Sequence, residues 1–150
     1  MNKYNLSEIL PHKPPMILLD DIIEIDLKNQ TLVSKFKIYP EKIFFDKSIN
    51  GINSLSGIEF MAQTIGCYAF FKNKCKHPKP GLLLGTRLYN NLVDYFENGK
   101  TYTVKVSEIF TDEEIVVFDC LIYDENKNEI ASATINAYQG ENIEGLLSGK

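Results

Sequence analysis

The sequence predicts an α+β domain in which an antiparallel sheet encloses one long helix. Three observations lead there. Residues 57 to 73 place apolar side chains on nearly every side of a helix: Ile58, Phe60, Met61, Ala62, Ile65, Tyr68, Ala69, Phe70 and Phe71. Such a helix is buried all round rather than amphipathic. Strand-like segments flank it on both sides as consecutive runs, not as alternating strand–helix units, which points to α+β rather than a parallel sheet. The 150 residues, 44% of them hydrophobic, suit one domain spanning 1–150 that buries a core without disulfides or metal.

Along the chain, residues 5 to 15 hold Pro11, Pro14 and Pro15 and are expected to be extended or turning. Residues 16 to 27 read as a strand, Met16-Ile17-Leu18-Leu19 followed by Ile22-Ile23-Glu24-Ile25, with Asp20 and Asp21 at a turn or an edge. A turn at Lys28-Asn29-Gln30 leads to residues 31 to 39, which alternate. Leu32, Ser34, Phe36 and Ile38 share one face, and Val33, Lys35, Lys37 and Tyr39 the other, as in a half-buried strand. Residues 40 to 55 look irregular. The helix opens at Ser56-Gly57-Ile58-Glu59 and ends at Lys72-Asn73-Lys74, since Pro78 and Pro80 forbid its continuation. Strands are expected from Leu82 to about Leu92, over 101–110, over 115–123 and over 129–138, the last two joined by a hairpin turn at 124–128. Residues 140–150 read as a loose tail.

A formal net charge of −4 gives no electrostatic footprint for nucleic acid or an anionic membrane. It leaves room for a local basic patch facing an acidic partner. Cys67, Cys75 and Cys120 form no C-x-x-C pair and read as reduced thiols, more core fillers than nucleophiles, in a cytoplasmic protein. The N-terminal residues show no signal-peptide pattern, and no segment reaches the roughly 18 apolar residues of a membrane span.

A sheet curled around a single apolar helix is the hotdog arrangement. Two stretches strengthen this reading. Leu10-Pro11-His12-Lys13-Pro14-Pro15-Met16-Ile17-Leu18-Leu19-Asp20 resembles the N-terminal signature of 3-hydroxyacyl-acyl-carrier-protein dehydratases of the FabZ type, and Ile58-Glu59-Phe60-Met61-Ala62-Gln63 resembles their E-x-M-A-Q helix start. The chain is more similar still to the ApeP-like dehydratases of aryl polyene pathways. That resemblance runs through Gly57–Ile65, Gly81-Leu82-Leu83-Leu84-Gly85-Thr86-Arg87 and Asn136-Ala137-Tyr138-Gln139. It implies a hotdog dimer acting on a thioester carried by the phosphopantetheine arm of an acyl carrier protein, with no other cofactor. It also implies catalysis by a His from one subunit and an acidic helix residue from the other. The family's His sits in a loop before the helix. Here that loop reads Phe44-Phe45-Asp46-Lys47-Ser48-Ile49-Asn50-Gly51, without His, and a gapless reading puts Ser48 in its place.

Dehydration of a 3-hydroxyacyl thioester needs a base beside the carbonyl, an acid for the leaving hydroxyl, and donors for the enolate-like oxygen. Gly57, with Ile58, opens the helix, where backbone N–H groups and the dipole favour negative charge and a glycine allows close approach; it equally suits packing. Glu59 is the acid–base candidate, a carboxylate on an apolar helix with Gln63 one turn later on the same face. Burial would raise its proton affinity, as suits a proton donor. Alternatively, Ser56-Gly57-Ile58-Glu59 is an S-x-x-E capping box that merely satisfies the helix start. His12 is the only His that the resemblance places near the site; a proline-framed His is also often structural. His77 in Cys75-Lys76-His77-Pro78 reads as an exposed loop residue, too few ligands for zinc. Ala62, Gly66 and Ala69 suit close packing or an acyl chain, and Arg87 suits a phosphate or a surface ion pair.

The expected function is a 3-hydroxyacyl-carrier dehydratase, a lyase of fatty-acid or aryl-polyene-type biosynthesis, with Glu59 and His12 catalytic and Gly57, Ile58 and Gln63 binding substrate. The His could instead come from a FabZ-like subunit in a heterodimer. Alternatives are a non-catalytic subunit that binds acyl carrier protein or a paralogue, and an acyl thioesterase.

Overall fold

The computed structural model describes residues 5–10, 16–72, 83–112 and 115–138. A short helix α1 (Leu6–Ile9) precedes strands β1 (Asp21–Asp26) and β2 (Thr31–Lys37). A small hairpin follows, β3 (Phe45–Asp46) and β4 (Gly51–Asn53), then a 3₁₀ turn (Ser54–Ser56) that runs into helix α2 (Gly57–Lys72). The chain continues as β5 (Leu83–Asn91), β6 (Tyr95–Glu97), β7 (Thr101–Thr111), β8 (Ile115–Tyr123) and β9 (Glu129–Tyr138). The main sheet is antiparallel in the order β1-β2-β7-β8-β9-β5; β3, β4 and β6 form a second, three-stranded sheet. This is the expected α+β arrangement.

Period-2 patterning seats the sheet on α2. Leu32, Ser34 and Phe36 of β2, Tyr102, Val104 and Val106 of β7, Val116, Phe118, Cys120 and Ile122 of β8, and Ala131, Ala133, Ile135 and Ala137 of β9 are buried on the inner face. Two polar core residues satisfy one another: Thr64 donates its one hydroxyl proton to Phe60 O at 2.8 Å, so Ser34 donates to Thr64 at 2.8 Å. Burial pushes the Cys67 thiol up to about 12 and raises Cys120 as well, so both are inert fillers.

Three local expectations are corrected. Residues 16 to 20 are not strand, because the Gln63 side chain takes the backbone groups of Met16 and Leu18 that a ladder would have used. Residues 40 to 55 are not irregular throughout; β3 and β4 are two and three residues long, too short to show a period. The capping box does not form: Asn53 caps the 3₁₀ turn, its Oδ1 accepting from Leu55 N at 2.9 Å, and no reciprocal bond joins Ser56 and Glu59.

Candidate active site at the start of the long helix

Gln63 is the joint between the two motif stretches. It is buried, its Nε2 donates to Met16 O at 2.7 Å, and its Oε1 accepts from Leu18 N at 2.8 Å. Its amide therefore seats the end of the 10–20 motif on α2, which occupies the polar atoms expected to bind substrate. His12 itself lies outside the described residues, as do His77, Cys75, the side chain of Arg87 and the tail.

Gly57 and Glu59 point in different directions. A Cβ at Gly57 would lie 2.2 Å from the Tyr89 hydroxyl and 3.2 Å from Ile122 Cδ1. The missing side chain thus makes room for β5 and β8. The Gly57 amide donates to Ser54 O, and the Tyr89 hydroxyl donates to the same oxygen. Any stabilisation of an oxyanion here comes from the positive end of the helix, not from a free Gly57 amide. Burial pushes the Tyr89 phenol up to about 12, so it stays a donor. Ser54 is also held by Asn91, whose Nδ2 donates to its Oγ at 3.0 Å, and Ser54 N donates to Asp94 O at 3.0 Å.

Glu59, by contrast, is exposed, and Ile58 is half-buried. The burial expected for Glu59 is absent in the single chain. The strip Glu59, Ala62, Gly66 and Phe70 is the least covered face of α2, although Leu10 closes on Gly66. Beneath Glu59, the Phe60 ring stacks on Phe36 with centroids 3.7 Å apart, and Phe96 meets both edge-on. Ser48, which a gapless reading sets against the loop His of the resemblance, is exposed in a turn and bound to Asp46, its hydroxyl donating to Oδ1 at 2.6 Å.

Sequence reasoning missed Lys42, a buried cation. It pairs with Asp20 at 2.6 Å, and Asp20 also accepts from Lys37 N at 2.5 Å. A lysine among loop residues carries no burial signal in sequence. Among the described residues no His, Cys, Asp and Glu cluster could hold a metal ion, and no helix is long and apolar enough to cross a membrane.

A family model for ApeP-like proteins, described as ApeP dehydratase, matches residues 4–148. The chain belongs to this family. No curated protein matches its sequence significantly. Among solved structures, the ApeP-like chain is similar to one from the dehydratase heterocomplex ApeI:P of Xenorhabdus doucetiae, with TM-score 0.83, 22% identity, and 99% of this chain and 100% of that one covered. It is similar to the E. coli PaaI protein of a phenylacetic acid degradation operon, with TM-score 0.60, 13% identity, and 79% and 82% covered. It is also similar to a hypothetical thioesterase with coenzyme A from Streptococcus pneumoniae, with TM-score 0.57, 13% identity, and 79% and 83% covered. At these identities the likenesses establish a common hotdog fold, while membership of the family establishes a dehydratase-like role.

Proposed function

We propose that this chain is one subunit of a cytoplasmic dehydratase that removes water from 3-hydroxyacyl thioesters carried on an acyl carrier protein, in fatty-acid or aryl-polyene-type biosynthesis. The observation that carries the reading is Glu59: a carboxylate left exposed at the start of a largely buried helix, in the stretch that resembles the E-x-M-A-Q helix start of FabZ-type dehydratases. A carboxylic acid here can protonate the leaving hydroxyl, which departs as water once the second group has taken the proton beside the thioester carbonyl, while the helix start steadies the oxyanion. His12, or a His of a second subunit, supplies the other acid–base group. Gln63 serves by seating the motif segment.

The second subunit is supported by what the single chain leaves uncovered. Strand β5 is the edge of the main sheet, with β9 on one side only among the described residues. Leu55, Leu88 and Leu92 are 66%, 61% and 79% exposed. Leu55 and Leu92 follow Ser54 and Asn91, which are bonded to each other, so they flank the helix start. Pairing along β5 with another hotdog subunit, a copy of this chain or a FabZ-like paralogue, would cover them and enclose Glu59. The heterocomplex of the Xenorhabdus protein is a precedent for the second.

The test mixes purified chain with a 3-hydroxyacyl carrier substrate, alone and with a FabZ-like partner, and follows the enoyl product by mass. Loss of water that depends on Glu59 is expected; no product in either mixture overturns the reading. A non-catalytic partner subunit has one observation in its favour, Ser48 tied to Asp46 where a gapless reading sets the loop His of the resemblance. It predicts carrier or paralogue binding and full activity of the complex after Glu59→Gln and His12→Ala. Release of free acid instead would identify a thioesterase.

A further inference from the structure

Three segments frame the candidate site: the motif ending at Asp20, the loop over residues 40 to 50 that lacks the expected His, and the first turn of α2. One side chain touches all three. Lys42 has a side chain only 4% exposed. Its Nζ lies 2.6 Å from Asp20 Oδ2, 5.0 Å from the Tyr39 ring centroid, 5.7 Å from that of Phe36 and 5.9 Å from that of Phe60. Phe60 is the residue after Glu59. The backbone of Lys42 also closes its own loop, with Lys42 N donating to Tyr39 O at 3.1 Å and Phe45 N donating to Lys42 O at 3.0 Å.

An ammonium needs a strong reason to leave water. Here the aromatic faces and one carboxylate hold it. Burial still pulls its proton affinity below the ordinary lysine value, and the bond it donates to Asp20 opposes that. A methylene chain with no charge would fill the same volume without joining the motif to the helix. The charge is what couples them: it fixes Asp20, which in turn accepts from Lys37 N at the end of β2.

We propose that Lys42 is a positioning residue of the site, an ammonium rivet that sets the loop before α2 and the 10–20 motif in register with the turn bearing Glu59. The proposal rests on the dehydratase reading for its effect on turnover, and on the fold alone for its effect on geometry. It acts through Asp20 and Phe60 and touches no reacting atom.

Lys42→Met keeps the bulk and removes the charge. In the active complex it is expected to lower kcat about tenfold or more, with KM for the carrier-bound substrate within about twofold, because misplaced groups lose transition-state contacts while remote binding persists. Amide exchange is expected to quicken at Lys37 and Phe45 and to stay unchanged at Val104, Val106 and Cys120. Should Lys42→Met fail to fold, Asp20→Asn breaks the same pair and is expected to shift kcat and exchange in the same direction. Wild-type kcat in a folded variant overturns the proposal, as does unchanged exchange at both amides. If the wild-type chain dehydrates nothing with any partner, the dehydratase reading fails, and the exchange pattern still decides for or against the rivet.

Discussion

Gly57 and Glu59 stand two positions apart, which on an α-helix puts them on nearly opposite sides. One faces the sheet and the other the solvent, so their substitutions separate stability from chemistry. Gly57→Ala pushes a methyl into the Tyr89 hydroxyl 2.2 Å away and is expected to destabilise the chain by about 1–3 kcal/mol. Adding Tyr89→Phe removes that hydroxyl and is expected to recover part of the loss, read by denaturant titration of the single and double variants. A pair whose losses simply add would show that the helix start does not close on Tyr89. Glu59→Gln alters an exposed side chain. Its midpoint is expected to match wild type, while dehydration by the complex falls about a hundredfold or more. Undiminished turnover would remove Glu59 from the chemistry.

At the scale of elements, side chains that cross between segments hold α2 at both ends. At the front, Gln63 replaces ladder bonds for Met16 and Leu18. Gln63→Leu leaves that amide and carbonyl to find water and is expected to cost about 1–3 kcal/mol. At the back, Glu108 sits at a bulge in β7 and accepts from Lys72 at 2.5 Å, Tyr68 at 3.1 Å, Gln30 at 3.2 Å and Thr111. Burial raises its proton affinity, but the bonds from Lys72, Thr111 and Tyr68 outweigh it, and Glu108 lies below its ordinary value of 4.5. A carboxylate depressed in the folded state adds stability that is complete above its unfolded value and is lost as pH falls through the folded one. Glu108→Gln is therefore expected to cost about 1–2 kcal/mol at neutral pH. The gap from wild type should close as pH drops below 4.5. A gap that widened on acidification would reverse this account. The element boundaries themselves were largely legible. The strand over 31–39 showed its inner face as alternation, and the long helix showed itself as an unbroken apolar run. The hairpin of β3 and β4 was not, because elements of two and three residues have no period to detect.

At the scale of the whole molecule, the proposed second subunit has a surface to meet. A helix apolar on nearly all sides retains a partly open strip, and the edge strand β5 carries exposed Leu88. Leu88→Lys is expected to leave the fold of the isolated chain intact and to prevent assembly with the partner, read by light scattering; unaltered assembly would place the interface elsewhere. Much of this was written in the order of residues. The apolar run, the alternation and the motif spacing determined an α+β hotdog scaffold and marked Gly57, Glu59 and Gln63 as its special positions, since periodicity and local backbone chemistry are properties of neighbours in sequence. Their separate duties were decided only by tertiary structure. Gly57 is small because Tyr89 comes from β5, Gln63 is polar because residues 16 to 18 arrive without a strand partner, and Lys42 is buried because Asp20 and three rings converge on it. The deciding contacts, Gly57 with Tyr89, Gln63 with residues 16 to 18, and Lys42 with Asp20 and Phe60, join residues distant along the chain, and no local pattern in a sequence records which distant group will fill the space beside a side chain.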